Sequence, residues 1–324
     1  MRAPLADTRD ETRRIREQVL QGLSANRVPG FHFPGHFLDL RRSSMAQDGV
    51  SIEVADGAHV RGARGEAAMT VLALLADTAI SAAIRLNMSA GVRLATVHLH
   101  MQLTGLAASG DLVAEAHPRG LVIGADTTYL MGAATIRGQR GVIGHAAGDF
   151  MRLAPPPGVK LAPLPWEREP IGAARPLAED ELVEHERRVL ACADRALESP
   201  GAGTFIERFW AGEALQSSEP GVARRELAVG PHVTNRVGHV QGGILLGLAA
   251  ATARDAAPAS MRLANVSTWF LRPGQGTKLL AHSHVVHLGR TMVVVRTAVS
   301  GEDGAISLEA MTQHVPDATA IVGP

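Results

Sequence analysis

The sequence predicts an α+β protein made of two similar halves, each an antiparallel sheet curled around one apolar helix. Three features point there. The chain repeats itself at an offset of 173 residues: His59 falls on His232, Val60 on Val233, Gly65 on Gly238 and Leu72 on Leu245. A stretch with five prolines and one charge, 154–165, separates the two copies as a semi-rigid spacer would. Each copy then holds an Ala/Leu-rich segment that is apolar nearly all round, followed by several strand-like segments. Such a helix must be buried on every side, which a sheet wrapped around it achieves.

The predicted domains are 1–153 with a helical N-terminal extension, the linker 154–165, and 166–324 with a helical lead-in. The long helices fall at about 70–86 and 242–254. Downstream, Leu94–Val97 matches Leu263–Val266, and Gly110 before a strand matches Gly276 before another. The offset shrinks along the chain, as unequal loop lengths would produce. Strands are expected near Thr96–Leu103, Asp111–Ala116, Thr127–Ile136 and Gly141–Met151. Their counterparts are expected near Asn265–Leu271, Lys278–His287, Thr291–Ser300 and Ala305–Gln313. Turn residues at 137–141 and 301–304 separate the last pairs as hairpins. The two sheets should be continuous and the two helices nearly antiparallel.

Composition narrows the function. With 46% hydrophobic and 20% charged residues the chain can bury a sizeable core, and only 3% aromatic content makes that core mostly aliphatic. Lys+Arg and Asp+Glu both number 32, which argues against a surface that coats nucleic acid. The basic pairs Arg13–Arg14 and Arg224–Arg225 read as solvated faces. Cys192, the sole cysteine, excludes an intrachain disulfide and fits a reducing, cytoplasmic setting. The first twenty residues alternate charges without an apolar run, so no signal peptide is expected. Neither Ala67–Ile84, which carries Asp77, nor the shorter Gly242–Ala253 reads as a membrane span.

Two motifs then stand out. The second half reads Asn235-Arg236-Val237-Gly238-His239-Val240-Gln241-Gly242-Gly243, and the first half reads Leu75-Ala76-Asp77-Thr78-Ala79. Together they resemble the hot-dog family, and within it the acyl-CoA thioesterases of the phenylacetate-degradation type. Those carry Asn-x-x-Gly-x-x-His-Gly-Gly followed by a helix with Leu-Ala-Asp-Thr-Ala. The resemblance covers about 37–151 and 205–315. Here each half keeps one part of the motif and lacks the other. Ala250 stands where the repeat would place Asp77. Gly62 stands for Asn235, and Ala68, Met69 and Thr70 stand for Gln241, Gly242 and Gly243. Gln241 itself replaces the family's usual His.

In family members one subunit gives the carboxylate and its partner gives the Asn and the Gly-Gly helix start. The resemblance therefore implies one composite site, Asp77 with Asn235, Gln241, Gly242 and Gly243, and a second, dead corner around Ala250, Gly62 and Ala68. That corner should be filled with apolar side chains or too closed for a thioester. The residue types suit thioester hydrolysis. An amide of Gly242 or Gly243 at a helix N-terminus would meet charge developing on the carbonyl oxygen. Asp77 would activate water as a general base or attack directly to give an anhydride. Asn235 would add a donor or fix the loop. Thr78, Ser81 and His239 would line the substrate, with Ser81, four residues beyond Asp77 on the same face, holding the water. Gly289 and Arg290 resemble a family turn near the pantetheine or phosphates of coenzyme A.

No metal or redox cofactor is expected, since coenzyme A is part of the substrate. His282, His284 and His287 alternate along a strand without an acidic partner pattern, which argues against zinc. Phe33-Pro34-Gly35-His36-Phe37 resembles a run in hot-dog dehydratases, but the acid that should follow on the helix is missing, so it reads as packing before the first strand. Two further functions share the fold: a non-catalytic acyl-CoA-binding module, and a hydratase or dehydratase. Pairing of two chains into a four-domain homodimer follows from family analogy alone.

Overall fold

In the computed structural model the described residues are 5–317, apart from 47, 87, 89–91, 124–127, 155–157, 159–160, 166–173 and 200–202. Part of the proline-rich linker thus lies outside the described residues. The first half runs α1 (Leu5–Asn26), α2 (Phe33–Phe37), β1 (Arg41–Ala46), β2 (Gly49–Val54), α3 (Met69–Arg85), β3 (Arg93–Leu103), β4 (Leu112–Ile123), β5 (Thr128–Gly138) and β6 (Gly141–Leu153). The second repeats that order: α4 (Glu184–Glu198), α5 (Phe205–Trp210), β7 (Glu213–Leu215), β8 (Val222–Ala228), α6 (Gly242–Ala256), β9 (Met261–Phe270), β10 (Lys278–Leu288), β11 (Val293–Ser300) and β12 (Ile306–Pro316).

The described strands form one antiparallel sheet in the order β1-β2-β4-β5-β6-β3-β9-β12-β11-β10-β8-β7. Read from the centre outward, the order is the same on both sides. The seam is the β3–β9 pair, with His98 opposite Trp269 and Gln102 opposite Asn265. Each long helix lies against the strands of its own half, α3 on β2 and β4–β6 and α6 on β8 and β10–β12. The two-part α+β fold, with a sheet continuous across the seam, is the one expected. Strand ends run longer than the sequence suggested. β3 starts at Arg93 because Arg93 already pairs with Leu153 of β6.

Burial explains why α3 can be apolar all round. Val71, Leu74, Leu75 and Ile80 are completely inaccessible, and full burial of such side chains stabilises by about 1.5–3 kcal/mol each. What brings the two helices together is a pair of glycines one turn apart. A Cβ on Gly243 would lie 2.5 Å from Leu74 Cα, and one on Gly247 would lie 2.8 Å from Thr70 Cα. Gly243 meets Leu74 and Gly247 meets Thr70, so the helices run antiparallel. The start of α6 therefore lies against the middle of α3.

The lead-in segments join the halves a second time. Phe33 and Phe37 of α2 correspond to Phe205 and Phe209 of α5, at an offset of 172, and the two short helices pack on each other. Phe33 and Phe209 rings are 6.4 Å apart and Phe37 and Trp210 rings 5.4 Å. The Phe33–Phe37 run thus forms a short helix in an inter-half aromatic cluster. Ion pairs tie α1 to the second half: Arg16 to Asp194 at 3.0 Å, and Arg27, just beyond α1, to the buried Glu186 at 2.7 Å. No described helix is long and apolar enough to cross a membrane.

Candidate active site

Asp77 sits at the middle of α3 with only 7% of its surface accessible. A carboxylate placed there must be hydrogen-bonded to be tolerated, and both oxygens are. Thr96 of β3 donates to Oδ1 at 2.8 Å, and the Gln241 side-chain amide donates to Oδ2 at 2.7 Å. Burial nevertheless dominates and pushes the Asp77 carboxyl up to about 6, against the lowering effect of those two bonds.

Gln241 does two things at once. It is the N-cap of α6, with its side-chain oxygen accepting from the Ile244 amide at 3.1 Å. That bond fixes which end of the amide faces α6, so the NH2 end is the one presented to Asp77. One side chain thus both bonds the acid and caps the helix. Gly242 and Gly243, the next two residues, carry amides in the first helical turn, where no intrahelical acceptor exists. Their surroundings differ. Gly242 is half-exposed and faces the cleft, and a Cβ on it would be 3.5 Å from Asp77 Oδ2. Gly243 is buried against Leu74 and does not line the cleft.

The cleft has a volume of about 340 Å³. Asp77, Thr78, Ser81, Asn235, His239, Gln241 and Gly242 all line it, so the structure brings together seven of the ten residues singled out in the sequence. Their roles are more specific than residue type suggested. Asn235 Oδ1 accepts from the amides of Val237 at 3.0 Å and His239 at 3.2 Å, which shapes the loop before α6 and leaves the NH2 end as its remaining donor. The Ser81 hydroxyl donates to the Thr78 carbonyl at 3.0 Å, so it is already engaged within the helix. His239 is 3.4 Å from the Arg93 guanidinium, and burial together with that charge lowers its basicity.

Gly289 and Arg290 are elsewhere. Their hairpin opens at Val293, which leads through His314 to Leu263 on β9. That is seven residues from Phe270, which lines the cleft, or about 23 Å at ~3.3 Å per residue. The pseudo-twofold relation puts this hairpin at the other corner. The matching segment of the first half, 124–127, lies outside the described residues.

At the other corner Ala250 and Ala68 are buried, and an ion pair lies beside them. Glu207 of α5 bonds Arg254 of α6 at 2.8 Å, and a Cβ on Gly62 would be 3.6 Å from Glu207. Arg254 occupies the position that Ser81 holds in the first half. A larger cleft of about 900 Å³ lies beyond that pair, between α4, α5 and β7–β8, and touches neither Ala250 nor Ala68.

Sequence reasoning missed several residues of the cleft. Thr96 lies inside the repeated Leu94–Val97 segment and at the expected start of a strand, and neither feature marks it as a partner of Asp77. Arg85, Arg93 and Arg272 give one wall a positive charge. Phe31 and His32, from the segment before α2, also line the cleft, and nothing in the local pattern marks them.

Comparison with known proteins bears on the fold and on the C-terminal segment. Residues 231–321 match the family model described as Acyl-CoA thioesterase N-terminal domain. No curated protein matches the chain in sequence. Among solved structures, the tesB protein of Mycobacterium avium subsp. paratuberculosis aligns at 12% identity over 86% of this chain and 96% of its own, with a TM-score of 0.50. The 12:0-ACP thioesterase from Umbellularia californica aligns at 10% identity over 83% and 94%, TM-score 0.50. A conserved hot-dog protein of unknown function from Alicyclobacillus acidocaldarius aligns at 10% identity over 85% and 95%, TM-score 0.50. At such identities the likeness is one of fold, and the fold is the hot-dog fold.

Proposed function

We propose that the chain hydrolyses acyl-CoA thioesters at one site per chain, built from Asp77 of the first half and the Gln241–Gly242 helix start of the second. In this it would work like thioesterases of the phenylacetate-degradation type, with two fused halves doing what two subunits do there. The observation that carries the proposal is the 2.7 Å bond from Gln241 to Asp77, which sets an acid of raised basicity beside the Gly242 amide at the start of α6.

The chemistry follows from the groups present. The thioester carbonyl lies near the Gly242 amide, and Asp77 takes a proton from water. Hydroxide adds to the carbonyl carbon, and the developing oxyanion is met by the Gly242 N–H and the positive end of α6. Collapse breaks the C–S bond, and the proton on Asp77 passes to the departing thiolate. Thr96 and Gln241 hold the carboxylate through both steps. A base acts best when its pKa lies near the working pH, and burial moves Asp77 from the ordinary Asp range to about 6. Arg85, Arg93 and Arg272 offer guanidinium groups to the coenzyme A phosphates.

The test is release of free coenzyme A from a panel of acyl-CoA esters, aliphatic and aromatic, across pH. Asp77 must be ionised to act, so kcat/KM should rise about tenfold per pH unit below about 6 and level off above it. Absence of turnover on every ester, with retained binding of an analogue, would mark the protein as a non-catalytic binder.

A further inference from the structure

We propose that His32 is a catalytic residue of this site, whose Nε2–H donates a hydrogen bond to the carbonyl oxygen of the bound thioester alongside the Gly242 amide. The inference rests on the hydrolysis proposed above and adds a donor from outside both sheets.

His32 is the N-cap of α2. Its Nδ1 accepts from the Gly35 amide at 3.0 Å. A ring nitrogen that accepts carries no proton, so the proton is on Nε2. Nε2 has no hydrogen-bond partner among the described residues, and it is not one of the buried, unbonded nitrogens. The ring lines the cleft that holds Asp77, Asn235 and Gly242. Nε2 on this half-buried ring therefore keeps accessible surface, and the ring that carries it lines the same cleft as the Gly242 amide.

The ring is held, not merely present. Phe31 packs beside it, tilted by 34° with centroids 4.3 Å apart. The Phe31 ring in turn lies over Gly35, where a Cβ would come within 2.0 Å of it. The backbone before His32 is tied to the Asn235 loop, because the Arg236 guanidinium donates to the carbonyls of Gly30 at 3.3 Å and Ala162 at 3.1 Å. One loop thus positions Asn235 and, through Arg236, the segment carrying His32. A pre-positioned donor of this kind costs little reorganisation when charge develops.

Charge decides the role. Burial lowers the His32 imidazole to about 3, with His36 and Arg236 adding in the same direction. The ring is neutral throughout the working range, so it donates a hydrogen bond without giving up its proton. That suits an oxyanion and does not suit protonation of the leaving thiolate, which stays with Asp77. The other corner shows the contrast. The matching N-cap of α5 is Thr204, whose amide donates to Glu207 at 3.0 Å, and Arg254 pins that carboxylate. Only the Asp77 corner has a ring with a free N–H at this position among the described residues.

The substitution that separates donor from cap is His32→Asn. Asn is as good an N-cap as any residue, so the bond to Gly35 can be kept while Nε2–H is lost. The expected result is a fall in kcat of about 10²–10³, the usual loss for one oxyanion donor, with KM and Tm near wild type and the rise through pH 6 unchanged. Calorimetry with a ketone analogue, in which CH2 replaces the thioester sulfur, should show weaker binding to His32→Asn than to wild type. An unchanged kcat, or a loss that follows a drop in Tm, overturns the assignment. If wild type proves inactive on every ester, the hydrolysis reading fails. The ketone analogue then still decides on His32: reduced affinity supports the contact, and equal affinity overturns it.

Discussion

Asp77→Asn is expected to lower kcat by about 10²–10⁴, the range for removal of a positioned general base, while leaving the fold intact. The change is nearly isosteric, and an Asn amide can use the same partners. Its oxygen accepts from the Gln241 amide, and its NH2 donates to the Thr96 hydroxyl. Stability should move the opposite way. The folded-state pKa of Asp77, about 6, is raised above its ordinary value of 3.8. Folded protein therefore binds the proton more tightly than unfolded chain does between those values. The stability this contributes is fully present below about 3.8 and is lost as pH rises through 6. Above pH 7 wild type carries a buried charge that the Asn variant does not. The variant should match wild type in urea midpoint near pH 4 and exceed it at pH 8. A lower midpoint for the variant at pH 8 would mean that Asp77 is stabilised by its two donors more than burial costs it. Full activity in the variant would remove Asp77 from the chemistry.

Gly243→Ala is expected to destabilise by about 1–3 kcal/mol, as overpacking of a close contact does. The added methyl would stand 2.5 Å from both N and Cα of Leu74 and 2.8 Å from the Ala73 carbonyl carbon. These are backbone atoms inside a helix and cannot swing away, so α6 must move from α3. Because Gln241 starts α6 and Asp77 is three residues beyond Leu74, that movement also lengthens the 2.7 Å bond between them. Gly242→Ala makes the contrast. There the methyl meets Phe270 at 3.4 Å and Asp77 at 3.5 Å, ordinary contact distances. It should leave the urea midpoint near wild type and reduce turnover by crowding the cleft. Urea unfolding of both variants with a coenzyme A release assay checks the pair. Equal stability losses at 242 and 243 would show that helix approach is not what the Gly-Gly sequence separates.

How legible all this was in the chain differs by residue. The two-fold order of elements was readable because the repeat preserves side-chain types: His59 and His232, Leu72 and Leu245, the Leu94 and Leu263 segments. Asp77 and Gly242 could be paired across the halves because each half lacks what the other keeps. The function of Gln241 was not readable, since an amide can face either way and only the Ile244 cap fixes its direction. Gly289 and Arg290 were placed at the wrong corner because a linear repeat does not reveal which hairpin the pseudo-twofold brings to which helix. His32 was hidden for a related reason. Its segment is steered by contacts between α2 and α5, some 170 residues apart, and by Arg236. The flagged His36 instead turns toward Phe31, with rings 5.3 Å apart, and does not line the cleft.

The central claim is a single working site per chain, shared between the halves. Its most direct test is titration calorimetry of purified protein with a non-hydrolysable acyl-CoA analogue. Asp77, Gln241 and Gly242 meet at one corner only, and the Glu207–Arg254 pair stands at the other. The expected stoichiometry is one analogue per chain, with affinity weakened by Gly242→Ala and untouched by Ala250→Val. Two equivalent sites per chain, or binding that responds to position 250 and ignores position 242, would contradict it.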